Sequence, residues 1–188
     1  MIRTCTKWIE KICSKYDVLV ELYCLYYRGI VKNEIALANI RSWDRVLCIG
    51  GGSIPSTAIE IAKQTKAQVH VVDIDSKAVK SARNVVSRLN LQEKITVFNA
   101  RGQDIDIEPY DVIHIAQQVS PKEEVLENIW EKSREGNRII VRVPRKILKP
   151  LYSNIRDDFI SDKAIEISSF SLESRGKTMD EILLMVKI

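Results

Sequence analysis

The 188 residues, 45% hydrophobic and 29% charged, suit one ordinary globular domain with a sizeable core. The net charge of +4 is mild and the basic residues are scattered among acidic neighbours, so nucleic-acid binding is not indicated. Cys5, Cys13, Cys24 and Cys48 have no C-x-x-C spacing and only His70 and His114 could join them, which leaves no zinc site and predicts free thiols in a reducing cytoplasm. No long apolar run follows the basic N-terminus, so the sequence predicts neither a signal peptide nor a membrane span.

From Thr6 to Ile40 apolar residues recur at helical spacing: Trp8, Ile9, Ile12, Tyr16, Leu19, Val20, Tyr23, then Ile30, Ile35 and Leu37. Asp17 and Arg28–Gly29 punctuate the run, giving two or three short helices. We assign residues 1–43 to a helical lid, whose aromatic helices also offer a surface for a homodimer.

After Trp43–Asp44 the pattern changes. Continuous apolar runs at Arg45–Ile49, Gln68–Val72, Ile95–Phe98, Asp111–Ala116 and Arg138–Val143 alternate with helix-patterned segments at Pro55–Lys66, Ser76–Leu89 and Pro121–Arg134. Short unbroken apolar strands alternating with helices predict a parallel sheet covered on both faces. Pro55 and Pro121 sit near helix starts, Ser76 is the expected N-cap, and Glu135–Gly136–Asn137 is a helix stop.

The tail departs from this alternation. Arg145–Ile155 reads as a further helix, and Ala164–Leu172 and Glu181–Ile188 read as strands joined by the polar loop Glu173–Lys177, an antiparallel hairpin. The expected α/β fold is therefore three-layered, with a mostly parallel seven-stranded sheet, a C-terminal hairpin and a second region spanning 44–188.

Within it, the first strand runs into Gly50–Gly51–Gly52 and a helix start, and the second strand ends on Asp73. Glycines let a ligand approach the backbone, and a carboxylate at the next strand end can hold both ribose hydroxyls, so the pattern describes a nucleoside pocket. The dinucleotide fingerprint G-x-G-x-x-G fails, because Pro55 stands where the third glycine belongs. A nicotinamide dehydrogenase is the last choice for that reason.

Gly50, Gly52, Asp73 and the terminal hairpin resemble the Rossmann-like, S-adenosylmethionine-dependent methyltransferase superfamily over roughly Asp44 to Ile188. The resemblance implies that Gly50, Gly51, Gly52 and Pro55 border the methionine part of the cofactor and that Asp73 and Ile74 meet the ribose. It places Ala100, Arg101 and Gly102 beside adenine, and Ile113 to Gln117, including Ala116, facing the reacting centre. Cys48 stands where the superfamily often has an acid and Ile54 where it often has glycine. Those departures, with Gly50-x-Gly52-x-x-Pro55-Ser56-Thr57, Asp73-Ile74-Asp75, Tyr110–Ala116 and Ile139–Arg142, resemble nicotianamine synthases and related opine-metallophore enzymes.

The expected function is transfer from S-adenosylmethionine to a small molecule in the cytoplasm, with methyl transfer as the superfamily default. The alternative implied by the narrower resemblance is transfer of the aminocarboxypropyl group onto an amine. A non-catalytic cofactor-binding protein is the third choice. In the nicotianamine-synthase-like reading Glu34 takes a proton from the attacking amine and Tyr27 or Tyr26 orients it, provided the helix continues through Gly29. Gln117 ends the fourth strand at the carboxyl edge of the sheet, where substrate lies in such folds. His114 reads as a hydrogen-bonded histidine within that strand.

Overall fold

The computed structural model describes residues 9–144, 155, 167–171 and 179–187. Helical residues 9–13 (α1) precede the long helix α2 (Asp17–Leu37). Then follow β1 (Arg45–Ile49), α3 (Ser56–Thr65), β2 (Gln68–Asp73), α4 (Ser76–Arg88) and β3 (Ile95–Asn99). A 3-10 turn (Gly102–Asp104) leads to β4 (Val112–Ile115), α5 (Lys122–Lys132), β5 (Arg138–Pro144), β6 (Ile167–Ser171) and β7 (Met179–Val186). The sheet runs β3-β2-β1-β4-β5-β7-β6. The first five of these pair in parallel, and β7 pairs antiparallel with both β5 and β6.

Alternation along the strands builds two apolar layers. Val46 of β1 and Val69 and Val71 of β2 pack beneath α2, α3 and α4, whereas Leu47, Ile49, Ile113 and Ile115 pack against Val125, Leu126 and Ile129 of α5. Burial on both faces explains why the strands are unbroken apolar runs rather than half-polar ones. The chain between β3 and β4 crosses back over the sheet, so β1 is flanked by β2 on one side and β4 on the other. At that reversal the loops following β1 and β4 diverge and open a crevice at the carboxyl edge.

Helix α2 runs unbroken through Gly29, whose missing side chain would have met nothing within 4 Å. The expected break at Arg28–Gly29 does not occur because α2 packs along α3 over this stretch, and tertiary packing outweighs the cost of one mid-helix glycine, about 1 kcal/mol. Arg88 fastens the start of α2 by donating to Asp17 at 2.7 Å and to the Ser14 carbonyl at 2.6 Å. Arg138 fastens its end, reaching the carbonyls of Ala38 and Asn39 and the Asp44 carboxylate.

The N-cap of α4 is Asp75 rather than Ser76. Its Oδ1 accepts from the amides of Lys77 (3.0 Å) and Ala78 (3.4 Å), and a carboxylate answers the helix dipole better than a hydroxyl. The helix expected at Arg145–Ile155 and the loop Glu173–Lys177 lie outside the described residues, Ile155 apart. Among the described residues no helix is long and apolar enough to cross a membrane. Asp75→Ala should cost about 1 kcal/mol of stability through the lost cap, read as a lower urea midpoint with unchanged slope.

Candidate active site

A cavity of about 350 Å³ opens at the reversal between β1 and β4. One wall is the turn Gly50–Gly51–Gly52 with Pro55 and the first turn of α3, including Ser56 and Thr57. Ala116, Gln117 and Gln118, following β4, make another. Glu10, Tyr23, Tyr26 and Tyr27, from α1 and α2, close the side facing the helices, and Cys48, His114 and Arg142 form the floor.

The turn is shaped by backbone conformation. Gly50 and Gly52 sit at φ +85° and +66°, where a side chain would be strained. The Gly50 amide donates to the Val72 carbonyl at 2.8 Å, and the Gly52 amide donates to Asp73 Oδ2 at 2.8 Å. Asp73 Oδ1 accepts from the Asp75 amide at 2.9 Å. Asp73 thus ties the glycine turn to the start of α4, with lone pairs remaining on both oxygens. It is half-buried and is not among the residues that line the cavity.

Ala100, Arg101 and Gly102 follow β3, next to β2, and the Ala100 amide donates to the Asp73 carbonyl at 3.2 Å. Ile74 is exposed at this edge, and so is Arg101. Ile74 adjoins Asp73 in the chain and the Ala100 amide bonds its carbonyl, but none of the four lines the cavity that holds the glycine turn. Of the other sequence-derived candidates, Gly50, Gly51, Gly52, Pro55, Ala116, Gln117 and Tyr27 line it together.

Glu34 does not. Its carboxylate is wholly buried under the cavity floor, where Arg142 donates to it from Nε (2.6 Å) and Nη2 (2.8 Å) and His114 Nε2 lies at 3.2 Å. Burial alone would raise its pKa, but the Arg142 and His114 charges and hydrogen bonds outweigh burial and hold it down at about 2. A carboxylate so ionised and so occupied has no capacity to take a proton from a substrate, so the expected role of Glu34 as base is corrected to that of a buried counter-ion.

The carboxylate that does face the cavity is Glu10, a residue that sequence reasoning passed over. Tyr23 donates to its Oε1 at 2.6 Å and the Ser53 amide to its Oε2 at 3.3 Å. Burial pushes its pKa up, the hydrogen bonds from Tyr23, Ser53 and Gln118 act the other way, and the Asp73 charge adds to the rise. A Cβ built on Gly52 would meet Glu10 Oε2 at 2.6 Å, so the glycine allows the carboxylate to lie directly on the turn. The available signal was one acid within the apolar α1 pattern.

Tyrosines complete this wall. Tyr23 and Tyr27 lie with ring centroids 5.3 Å apart, Tyr26 stands edge-on to Tyr27 at 5.0 Å, and the Arg142 guanidinium carbon is 5.2 Å from the Tyr27 ring centre. The floor was legible in outline: Cys48, His114 and Arg142 interrupt strands that are otherwise aliphatic. Burial raises the Cys48 thiol to about 12, so it remains protonated and is no nucleophile at neutral pH. Among the described residues no group of three or more histidines, cysteines and carboxylates could hold a metal.

The reversed sheet order, the glycine turn after β1 and the acid ending β2 define the Rossmann-like fold of the S-adenosylmethionine-dependent transferase superfamily. Within it the chain belongs to the nicotianamine synthase family, whose model, described as nicotianamine synthase protein, matches residues 6–182. A mutant of MtNAS in complex with S-adenosylmethionine superposes with a TM-score of 0.79 at 26% identity, covering 97% of this chain and 72% of that one. An RNA methyltransferase from Salinibacter ruber, in complex with S-adenosyl-L-homocysteine, gives 0.62 at 15% identity over 84% of this chain and 90% of that one, a likeness of fold alone.

The L-histidine 2-aminobutanoyltransferase of Yersinia pestis is 26% identical over 120 residues, 64% of this chain and 45% of that protein. Its namesake in Pseudomonas aeruginosa strain PAO1 is 26% identical over 114 residues, 60% and 43% respectively. The chain therefore spans less than half the length of these curated relatives.

Removing the Glu34 carboxylate strands the Arg142 charge in the interior, so Glu34→Ala should cost about 3–5 kcal/mol, measured by chemical denaturation. Because folding depresses the Glu34 pKa from 4.5 to about 2, its contribution is complete above pH 4.5 and is lost as pH falls from there towards 2. Wild-type stability should fall across that window, and the Glu34 dependence should be missing in the variant.

Proposed function

We propose that the chain binds S-adenosylmethionine against the Gly50–Gly52 turn and transfers its aminocarboxypropyl group to an amine. The observation that carries this reading is Glu10, a buried carboxyl with a raised pKa that lies on the glycine turn inside a tyrosine-lined cavity. The relatives named above as aminobutanoyltransferases, and the family itself, support this transfer over the methyl transfer expected from the superfamily.

In this reading Asp73 receives the ribose hydroxyls on its remaining lone pairs. Ile74 and Ala100–Gly102 lie against the adenine, and the first turn of α3 answers the methionine carboxylate. The attacking amine lies near Glu10 and the tyrosine hydroxyls. Its nitrogen lone pair forms a bond to the methionine γ-carbon as the bond from that carbon to sulfur breaks, and the electron pair goes to sulfur. The sulfonium leaves as neutral methylthioadenosine, and the proton shed by nitrogen passes to Glu10. The leaving group needs no acid, because breaking the bond discharges its positive charge, so the protein's tasks are orientation, exclusion of water and one proton acceptor. Gln117 and Gln118 orient the substrate from the opposite wall, and α1 with the first turns of α2 serves as the lid.

Chromatography of the products after incubation with S-adenosylmethionine and a panel of amines, amino acids included, should show methylthioadenosine. Adenosylhomocysteine would establish methyl transfer, and binding without either product would mean a non-catalytic protein. Glu10→Gln should lower kcat by about 10²–10⁴-fold while cofactor binding is retained. The raised pKa of Glu10 makes its ionisation costly in the folded state, a penalty that grows as pH rises from 4.5 to the raised value, so the same variant should melt no lower than wild type at pH 7. Asp73→Ala should weaken S-adenosylmethionine binding about tenfold or more by calorimetry; unchanged affinity would place the ribose elsewhere.

A further inference from the structure

Helix α2 has two apolar faces, and the fold uses one. Val20, Cys24, Ile30 and Val31 are buried against α3 and the sheet. On the outward face Val18, Leu22 and Leu25 are 69%, 57% and 51% exposed, flanked by Leu19 and Tyr26 at 37% and 43%. Val18, Leu22, Leu25 and Gly29 recur at alternating intervals of four and three residues, the spacing of a helix–helix seam rather than of scattered surface residues. Polar residues would be expected there on a helix facing water.

We infer that this face of α2 pairs with α2 of a second copy of the chain, antiparallel about a two-fold axis passing between Leu22 and Leu25. Between Val18 and Gly29 the residues along the stripe are complementary to themselves in that arrangement. Leu22 meets Leu25 of the partner subunit, and Val18 meets Gly29 of the partner subunit, where the absent side chain leaves open space for it. On one flank Leu19 packs on Tyr26 of the partner subunit. On the other, Glu21 lies opposite Arg28 of the partner subunit, and symmetry makes each contact twice.

Arg28 is available for this. Its Nε is 3.4 Å from Glu60, and its side chain remains 56% exposed. Lys15 and Lys32 bound the seam, so it is about three turns long. One helix pair of that length falls short of the roughly 1,200–2,000 Å² of a standard stable interface, and the dimer is accordingly concentration-dependent. Tyr26 also lines the cavity, so the partner subunit's Leu19 rests on the outside of a cavity wall and stiffens it. The association itself does not rest on the proposed chemistry.

Sedimentation velocity over an about hundredfold range of concentration should show wild-type protein passing from monomer to dimer. Leu22→Glu places two carboxylates beside the axis and should raise the dimer Kd at least about tenfold, with circular dichroism unchanged, and melting unchanged at concentrations where wild type is monomeric, because the side chain is outward. Glu21→Arg, which sets like charges opposite Arg28 of the partner subunit, should weaken the dimer as well, and added salt should narrow its difference from wild type. A protein that stays monomeric throughout overturns the proposal, as does a dimer untouched by both variants. Binding of the monomer to neutral phosphatidylcholine vesicles, abolished by Leu22→Glu, would also overturn it by assigning the face to lipid.

Discussion

The buried contact of Glu34 with Arg142 and His114 is the constraint from which the site's geometry follows. Glu34 comes from α2, His114 from β4 and Arg142 from β5, so three elements distant in sequence meet at one carboxylate. All three side chains are buried, His114 with its pKa pushed down by that burial, and a buried carboxylate is tolerable only when its oxygens are fully engaged. Arg142 supplies two parallel donors, and its guanidinium carbon also lies over the ring of Tyr27, seven residues before Glu34 on the same helix face. The rotation of α2 about its own axis is therefore set by an ion pair, and with it the placement of Tyr23 and Tyr27 in the cavity.

From that placement the electrostatics divide into two levels. Below the floor, Glu34 is ionised and quenched by its partners. Above it, Glu10 is held by neutral donors, Tyr23, Gln118 and the Ser53 amide. Two acids a helix apart in sequence acquire opposite pKa shifts from their surroundings, and that separation suits a structural counter-ion and a proton acceptor.

Much of the fold was legible. Strands β1 to β5 and helices α3 to α5 lie within a residue or two of the runs that mark them, because a parallel sheet buried on both faces imposes unbroken apolar stretches. The glycine turn and Asp73 were legible for a local reason: positive φ at Gly50 and Gly52 and an acid at the next strand end are requirements that few residue types meet. The break at Gly29 and the cap at Ser76 were misjudged, each because a neighbour decided the outcome, α3 for the helix and Asp75 for the cap.

The assignment of the two glutamates shows where sequence stops. Glu34 and Glu10 both sit in amphipathic helical patterns, and nothing in either pattern says which carboxylate will meet a guanidinium. His114 and Arg142 are polar residues in aliphatic strands, but the strand pattern gives a residue's face and not its partner across the sheet. The sequence by itself determined the alternation of strands and helices, the glycine turn and the acid beside it, because each depends on residues close in the chain. The tertiary structure alone decided which acid is buried as a counter-ion and which faces the cavity, since both outcomes depend on contacts spanning much of the chain, as the separation of 108 positions from Glu34 to Arg142 shows.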